Sequence, residues 1–145
     1  MKRLPIPISA HGGIVNKVIT FKTSMFDVSQ EDENPINPIY GQSLLHWLKE
    51  RISKVVLLTN PDAEDWGWYS TLNWDERNYL VGAIAYFEEG DDPKDEIEWI
   101  LQIDKSRTFK EKLLGQEKLT IKDSLFQLIK KTLDEEPNFT GVCVE

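Results

Sequence analysis

The fold is decided by residues 66–103, which read WGWYSTLNWDERNYLVGAIAYFEEGDDPKDEIEWILQI. Aromatic and aliphatic side chains recur at every second position in three runs, at 66–74, 79–87 and 97–103. This period of two is typical of β-strands, in which successive side chains point to opposite faces of a sheet. The polar segments between the runs, 75–78 and 88–96, are typical of turns and loops. The stretch therefore predicts three consecutive antiparallel strands that form a meander.

The faces of these strands carry different side chains. In the first run, Trp66, Trp68 and Trp74 are predicted to share one face with Leu72. If this face packs against helices, the tryptophans belong to the core, and if it points outward they form a large exposed aromatic patch. The run over 79–87 is apolar on both faces, which predicts a central strand.

The segments before the meander predict a strand, a helix and a second short strand. Alternating apolar residues predict the first strand within 14–26. Asn37 is placed to cap a helix that begins at Pro38, since proline is favoured in the first turn, and apolar residues then recur at helical spacing as far as Ile52. The β-branched and leucine residues at 55–58 predict a short strand.

The segments after the meander predict two helices and a last strand. Ser106 is placed to cap a short helix over 107–114. A longer helix with an apolar stripe is expected to open at Thr120 or Asp123. Residues 139–144 predict a final short strand.

This order of elements predicts an α+β fold, because strands and helices do not alternate as they do in a doubly wound parallel sheet. We expect a mostly antiparallel sheet with a central three-strand meander and two to three helices packed on one face. Residues 1–13 contain two prolines and a Gly-Gly pair, which predict an extended amino-terminal arm. Residues 14–145 are predicted to form a single domain, since this length is enough to bury a core.

The charge of the chain is concentrated in one segment. Residues 61–98 hold twelve Asp and Glu against two Lys and Arg, whereas the rest of the chain is close to neutral, and the net charge is −8. Such a chain is repelled by phosphate backbones, so we expect no nucleic-acid partner. The amino terminus lacks the apolar run of a signal peptide, and no segment of about 18 apolar residues occurs. We therefore expect a cytoplasmic protein with no membrane association.

The usual signatures of catalysis and of metal binding are absent from the sequence. The acidic loops do not follow the calcium-loop spacing, and one cysteine with two histidines is too few for a typical zinc site, so we predict no metal. Cys143 lies in an apolar terminal segment and is expected to act as a small hydrophobic residue. Asp104 and Lys105 are adjacent, which places them on opposite faces of a strand and argues against a nuclease core. We predict no catalytic residue and no cofactor.

The remaining features favour a non-enzymatic protein-binding module whose partner is a basic protein. One concrete form is a bacterial toxin-neutralising, immunity-type protein that blocks a basic nuclease. The net positive segment 105–131 also allows homo-oligomers held by patches of opposite charge. The predicted partner-binding residues are acidic or aromatic: Asp62, Glu64, Asp65, Trp66, Trp68, Glu88, Glu89, Asp91 and Asp92.

A second hypothesis is a small-molecule-binding or enzymatic domain with a pocket between the meander and the helices. Such pockets are mainly apolar with a few placed polar groups. The residues predicted to line it are His46, Trp68, Tyr69, Tyr86 and Trp99. A closed core at this place would argue against the hypothesis, and an open cavity with converging polar groups would support it.

Overall fold

The computed structural model describes residues 16–145 of the chain. The strands are β1 (Asn16–Thr23), β2 (Asp62–Glu64), β3 (Gly67–Trp74), β4 (Arg77–Ala85), β5 (Ile97–Lys105) and β6 (Thr140–Val144). The helices are α1 (Gln42–Ile52), α2 (Phe109–Leu113) and α3 (Ser124–Asp134), with a short 3-10 turn at Val28–Gln30. The strands form one six-stranded sheet in the order β2-β3-β4-β5-β1-β6, which confirms the α+β fold. The predicted arm over 1–13 lies outside the described residues.

The predicted meander is present as β3, β4 and β5, which pair in antiparallel register. Ala83 of β4 lies between Trp68 of β3 and Leu101 of β5. The β3–β4 turn is tighter than predicted, because Arg77 and Asn78 already belong to β4. Its two residues, Asp75 and Glu76, have φ angles of 51° and 62°, the left-handed conformation of the two-residue turns that match sheet twist.

The core lies between one face of the sheet and helices α1 and α3. The sheet contributes Trp68 and Trp99, which are 4% and 0% exposed. The helices contribute leucine, isoleucine and phenylalanine side chains: Leu44, Leu45, Leu48, Ile52, Leu125, Phe126, Ile129 and Leu133. Helix α2 buries none of its residues. The helices that bury apolar side chains therefore pack on a single face, as the sequence predicts.

Trp66 departs from the predicted alternation. It lies in the turn between β2 and β3 and packs with Ile84 and Ile100 on the face of the sheet opposite to Trp68. Gly67, with a φ of 153°, changes the direction of the chain between the two tryptophans. A side chain at position 67 would lie 2.7 Å from the Ala83 carbonyl oxygen, so glycine is needed there. The expectation that Trp66 shares a face with Trp68 and Trp74 was wrong.

The strand predicted at 55–58 does not form. Val56 and Leu58 turn into the core, whereas Val55 and Leu57 are 60% and 75% exposed. The alternating buried and exposed residues at 55–58 thus belong to an irregular segment that covers the core at the edge of the sheet. The segment joins β3 only near Thr59, and the paired strand β2 begins at Asp62.

Helix α1 begins at Gln42, later than the predicted start at Pro38. Its first turn is capped from farther back in the connection between β1 and α1, because the Glu31 carboxylate accepts hydrogen bonds from the backbone N–H groups of Gly41, Gln42 and Ser43. A carboxylate at a helix amino terminus satisfies unpaired N–H groups and the positive end of the helix dipole. The predicted cap, Asn37, does not cap the helix.

The carboxy-terminal helices are capped as their sequences allow. Asp123 caps α3 by accepting from the N–H groups of Leu125 and Phe126, in agreement with one of the two predicted starts. Helix α2 is capped by Thr108 in a capping box with Glu111, not by Ser106 as predicted.

Candidate binding surface at the acidic end of the sheet

The antiparallel order brings two acidic connections to the same end of the sheet. Gly67, where the β2–β3 turn ends, lies against the carbonyl of Ala83, which is close to the last residue of β4. The β4–β5 loop leaves from this point, at residues 86–96. The segment 31–34, which holds further acids and caps α1, lies at this end as well. We call residues 31–34, 62–65 and 86–96 the acidic end.

Two asparagines fix the loop before α1 to this end of the sheet. The Asn34 side chain, 6% exposed, donates to the carbonyl oxygens of Glu64 at 2.9 Å and Gly67 at 3.0 Å. The Asn37 side chain donates to the carbonyl oxygen of Asp65 at 2.8 Å. These bonds satisfy backbone carbonyl groups of the β2–β3 turn and fix the backbone from which its acidic side chains project.

Besides Glu31, which caps α1, the acidic end holds eleven carboxylates. They are Asp32, Glu33, Asp62, Glu64, Asp65, Glu88, Glu89, Asp91, Asp92, Asp95 and Glu96. Across residues 16–145, none of the eleven takes part in an ion pair. Lys94 is the one base within these three segments. Within the part of the chain that the structure describes, this surface therefore carries a concentrated negative charge that ion pairs do not offset.

The opposite end of the sheet differs, because several of its charges form ion pairs within the chain. Arg77 donates to Glu111 at 2.9 Å, and Lys105 lies 3.0 Å from Glu117. The hydrogen bonds from Arg77 are the main reason that the pKa of Glu111 falls to about 2. Burial and the hydrogen bond to Asp123 raise the pKa of Tyr79. Arg77 and Lys105 are thus engaged by nearby acids at the end of the sheet opposite to the acidic end.

A cavity of about 200 Å³ opens at the acidic end. It lies between the loop that precedes α1 and the end of β4, and its lining residues are Asn37, Pro38, Ile39, Tyr40, Ala85, Tyr86, Phe87 and Glu88. The rings of Tyr40 and Phe87 meet edge to face, with centroids 5.5 Å apart. The cavity combines an aromatic and aliphatic wall with a carboxylate.

Most of the predicted partner-binding residues lie at the acidic end, but their exposure differs. The exposed ones are Asp62, Asp65, Glu89 and Asp92, and the half-buried ones are Glu64, Trp66, Glu88 and Asp91. Trp68 does not reach the surface, because it is 4% exposed and its indole N–H donates to the carbonyl oxygen of Ile39.

The residues predicted for the alternative pocket do not line one cavity. Trp68 and Trp99 are buried in the core, and His46 is exposed on α1. Tyr69 lies on the other face of the sheet, opposite Gly82. Of the five, only Tyr86 lines the cavity at the acidic end.

Several residues that build this end were not singled out from the sequence. Glu31, Asn34 and Tyr40 act through contacts with segments distant along the chain. The available signal was the repeated Asn-Pro pair at 34–35 and 37–38, which marks turns. It indicates an ordered loop without indicating what the loop binds.

No protein-family model, curated protein or solved structure matches this chain. Within residues 16–145, no helix combines the length and apolar character needed to cross a bilayer. In the same range, no group of three His, Cys, Asp or Glu side chains is placed to hold a metal ion.

Proposed function

We propose that this protein is a non-enzymatic module that binds a basic protein through its acidic end. The observation that carries the proposal is the convergence of three separate acidic segments at one end of the sheet, with eleven carboxylates that have no ion-pair partner in the described residues. A concentrated field of one sign raises the rate at which an oppositely charged protein associates.

The rigidity of the acidic end also favours binding. Its turn is tied to the preceding loop through Asn34 and Asn37, so the carboxylates are presented from a fixed backbone. A surface that is ordered before binding loses less conformational entropy when the partner arrives. An adaptable, disordered acidic tail would not have this advantage.

More specifically, we propose that the protein is a bacterial toxin-neutralising protein whose partner is a basic nuclease. This proposal is supported by size and charge, which is an argument from analogy. This more specific proposal includes a cytoplasmic location, because the nucleic-acid substrate of such a partner is found there.

The test uses two variants that change charge equally. In the first, Asp65, Glu89 and Glu96 are replaced by Lys; these exposed side chains belong to the acidic end. The control replaces Glu50, Glu76 and Glu145 by Lys, which are exposed and lie elsewhere. Each immobilised protein is exposed to lysate of the native host, and the retained proteins are identified by mass spectrometry.

We expect the unmodified protein and the control to retain the same basic protein in stoichiometric amount. The acidic-end variant should lose it, because the attraction has been reversed where the contact forms. Retention of the same proteins by all three samples would contradict the proposal.

The cavity favours a second candidate function, which is binding of a small molecule. Pockets for such ligands are concave and mainly apolar with a few polar groups, and the wall beside Glu88 has this character. A compound that shifts the amide resonances of residues 37–40 and 85–88, together with a lysate test that retains no basic protein, would favour this function over the first.

A further inference from the structure

We propose that the cavity beside Glu88 receives one lysine or arginine side chain of the basic partner. The inference rests on the proposed function, because it assigns an anchor point within the acidic end. The ligand chemistry is a cation at the tip of an alkyl stem, and the position, walls, size and rigidity of the cavity all suit it.

The position of the cavity selects a cation. Glu88 is one of its lining residues, and Glu89 and Asp91 follow directly in the same loop. The backbone carbonyl oxygen of Asp65 accepts a hydrogen bond from the side chain of Asn37, another lining residue, so this acid is close to the cavity. A cavity surrounded by charge of one sign attracts the opposite charge and repels anions.

The walls of the cavity suit the stem of a long basic side chain. Tyr40 and Phe87 form an edge-to-face pair, and Ile39 and Ala85 add aliphatic surface. Lysine and arginine bury their methylene groups against apolar surface while the charged tip stays near polar groups. Aromatic faces also attract a cation directly.

The size of the cavity indicates a side chain in preference to a larger ligand. Its volume is about 200 Å³. Sites for drug-sized ligands and cofactors have volumes of roughly 300–1,000 Å³. A single long side chain is a better match to the smaller volume than a nucleotide or another cofactor.

The cavity is held open by the fold. The backbone N–H of Ala85 donates to the carbonyl oxygen of Tyr40 at 2.8 Å, which fixes the two walls to each other. The backbone N–H of Glu88 donates to the Asp91 carboxylate at 2.8 Å, which fixes the rim. Binding would need little rearrangement of the backbone, which favours affinity.

The experiment titrates the full chain with three short peptides at low salt and follows amide resonances by NMR. The peptides are acetyl-Gly-Gly-X-Gly-Gly-amide, where X is arginine, lysine or norleucine. Norleucine keeps an alkyl stem and has no charge. The protein variants are Glu88→Gln, which removes the charge at the cavity, and Glu76→Gln, a matched change at an exposed glutamate in the β3–β4 turn, outside the acidic end.

We expect the arginine or lysine peptide to shift the resonances of residues 37–40 and 85–88, and the norleucine peptide to leave them unchanged. Glu88→Gln should weaken binding about tenfold, because a charge-assisted contact is lost, while Glu76→Gln should change it less than about twofold. Comparison of the two basic peptides then identifies which side chain the cavity prefers.

Three other outcomes would overturn the inference. If the basic peptides shift resonances of the acidic end only outside residues 37–40 and 85–88, or if Glu88→Gln leaves the affinity unchanged, the acidic end attracts basic groups without using the cavity. If neither basic peptide shifts any resonance of the acidic end at millimolar concentration, the cavity does not bind a single basic side chain. Shifts caused equally by norleucine would assign an apolar ligand to the cavity. The charge-reversal variants test the proposed function separately, so failure of the inference and failure of the proposed function are distinguishable.

Discussion

Trp66 lies directly over Gly82, so closely that a Cβ atom at position 82 would be 2.6 Å from the ring carbon Cη2. The indole thereby packs onto the face of the sheet opposite to the main core. Glycine at the centre of a strand is unfavourable for strand formation, since it has high conformational entropy in the unfolded chain. Here it provides the space in which the tryptophan of the β2–β3 turn is seated.

We predict that Gly82→Ala displaces Trp66 and destabilises the fold. Overpacking of this kind costs on the order of 1–3 kcal/mol, which exceeds the gain from replacing a strand glycine. Urea unfolding followed by tryptophan fluorescence gives the free energy of unfolding and the environment of the indole. In the Trp66→Ala background the same change at Gly82 should cost nothing, and an equal cost in both backgrounds would show that the two residues are not coupled.

The cap of α1 by Glu31 gives a second prediction. Glu31→Ala leaves the N–H groups of Gly41, Gln42 and Ser43 without their acceptor. Loss of a helix cap costs about 0.5–2 kcal/mol, and we expect the upper part of that range because three donors share one carboxylate. Chemical denaturation measures the change. Glu33→Ala is the control, since this exposed neighbour should leave the stability unchanged.

These two contacts show why the sequence predicts some elements and misses others. The meander is predicted because apolar residues alternate within each of its strands, so the sequence of a single strand shows which residues lie on each face. The start of α1 is missed because its cap comes from Glu31, in a loop well before the helix. The turn at Trp66 is missed because the alternating pattern of apolar residues does not show that the chain changes direction at Gly67.

The negative charge of the candidate site could be predicted from the sequence, whereas its three-dimensional shape could not. The acids of 62–65 and 88–96 are evident from composition, whereas their meeting depends on the register of β3 with β4. The cavity requires residues 37–40 and 85–88 to lie side by side, and no local pattern links these two segments. Long-range backbone bonds such as that from Ala85 to Tyr40 create this arrangement.

A third prediction concerns the dependence of stability on pH. The hydrogen bonds from Arg77 lower the pKa of Glu111 from 4.5 to about 2 in the folded protein. The ionised form is therefore favoured by folding, so this contribution is present above pH 4.5 and is lost as the pH falls toward 2. Melting temperatures measured across this window should fall less steeply for Glu111→Gln than for the unmodified protein.

The matched control for this pH experiment is Glu76→Gln, an exposed carboxylate in the β3–β4 turn. It should reproduce the pH dependence of the unmodified protein. Parallel curves for all three proteins would show that the Arg77–Glu111 pair does not contribute.

Helix α2 provides a fourth prediction, because its apolar side chains face away from the core. Phe109 and Leu113 are 80% and 73% exposed, whereas Leu125 of α3 is 0% exposed. We expect Phe109→Ser and Leu113→Ser to change the free energy of unfolding by less than about 0.5 kcal/mol. Leu125→Ala should cost about 2–5 kcal/mol through loss of buried surface and the cavity it leaves. A large cost at Phe109, measured by urea unfolding, would mean that α2 packs on the domain.

The central claim is that the acidic end attracts a basic protein, and the most direct measurement is the rate of association with the basic protein that the unmodified chain retains. Stopped-flow mixing compares the unmodified chain with the triple Lys variants at 65, 89 and 96 and at 50, 76 and 145. At about 0.01 M salt we expect the acidic-end variant to associate at least about tenfold more slowly than the control, with the difference shrinking at about 0.15 M. Equal rates for the two variants at both salt concentrations would contradict the claim and place the contact elsewhere.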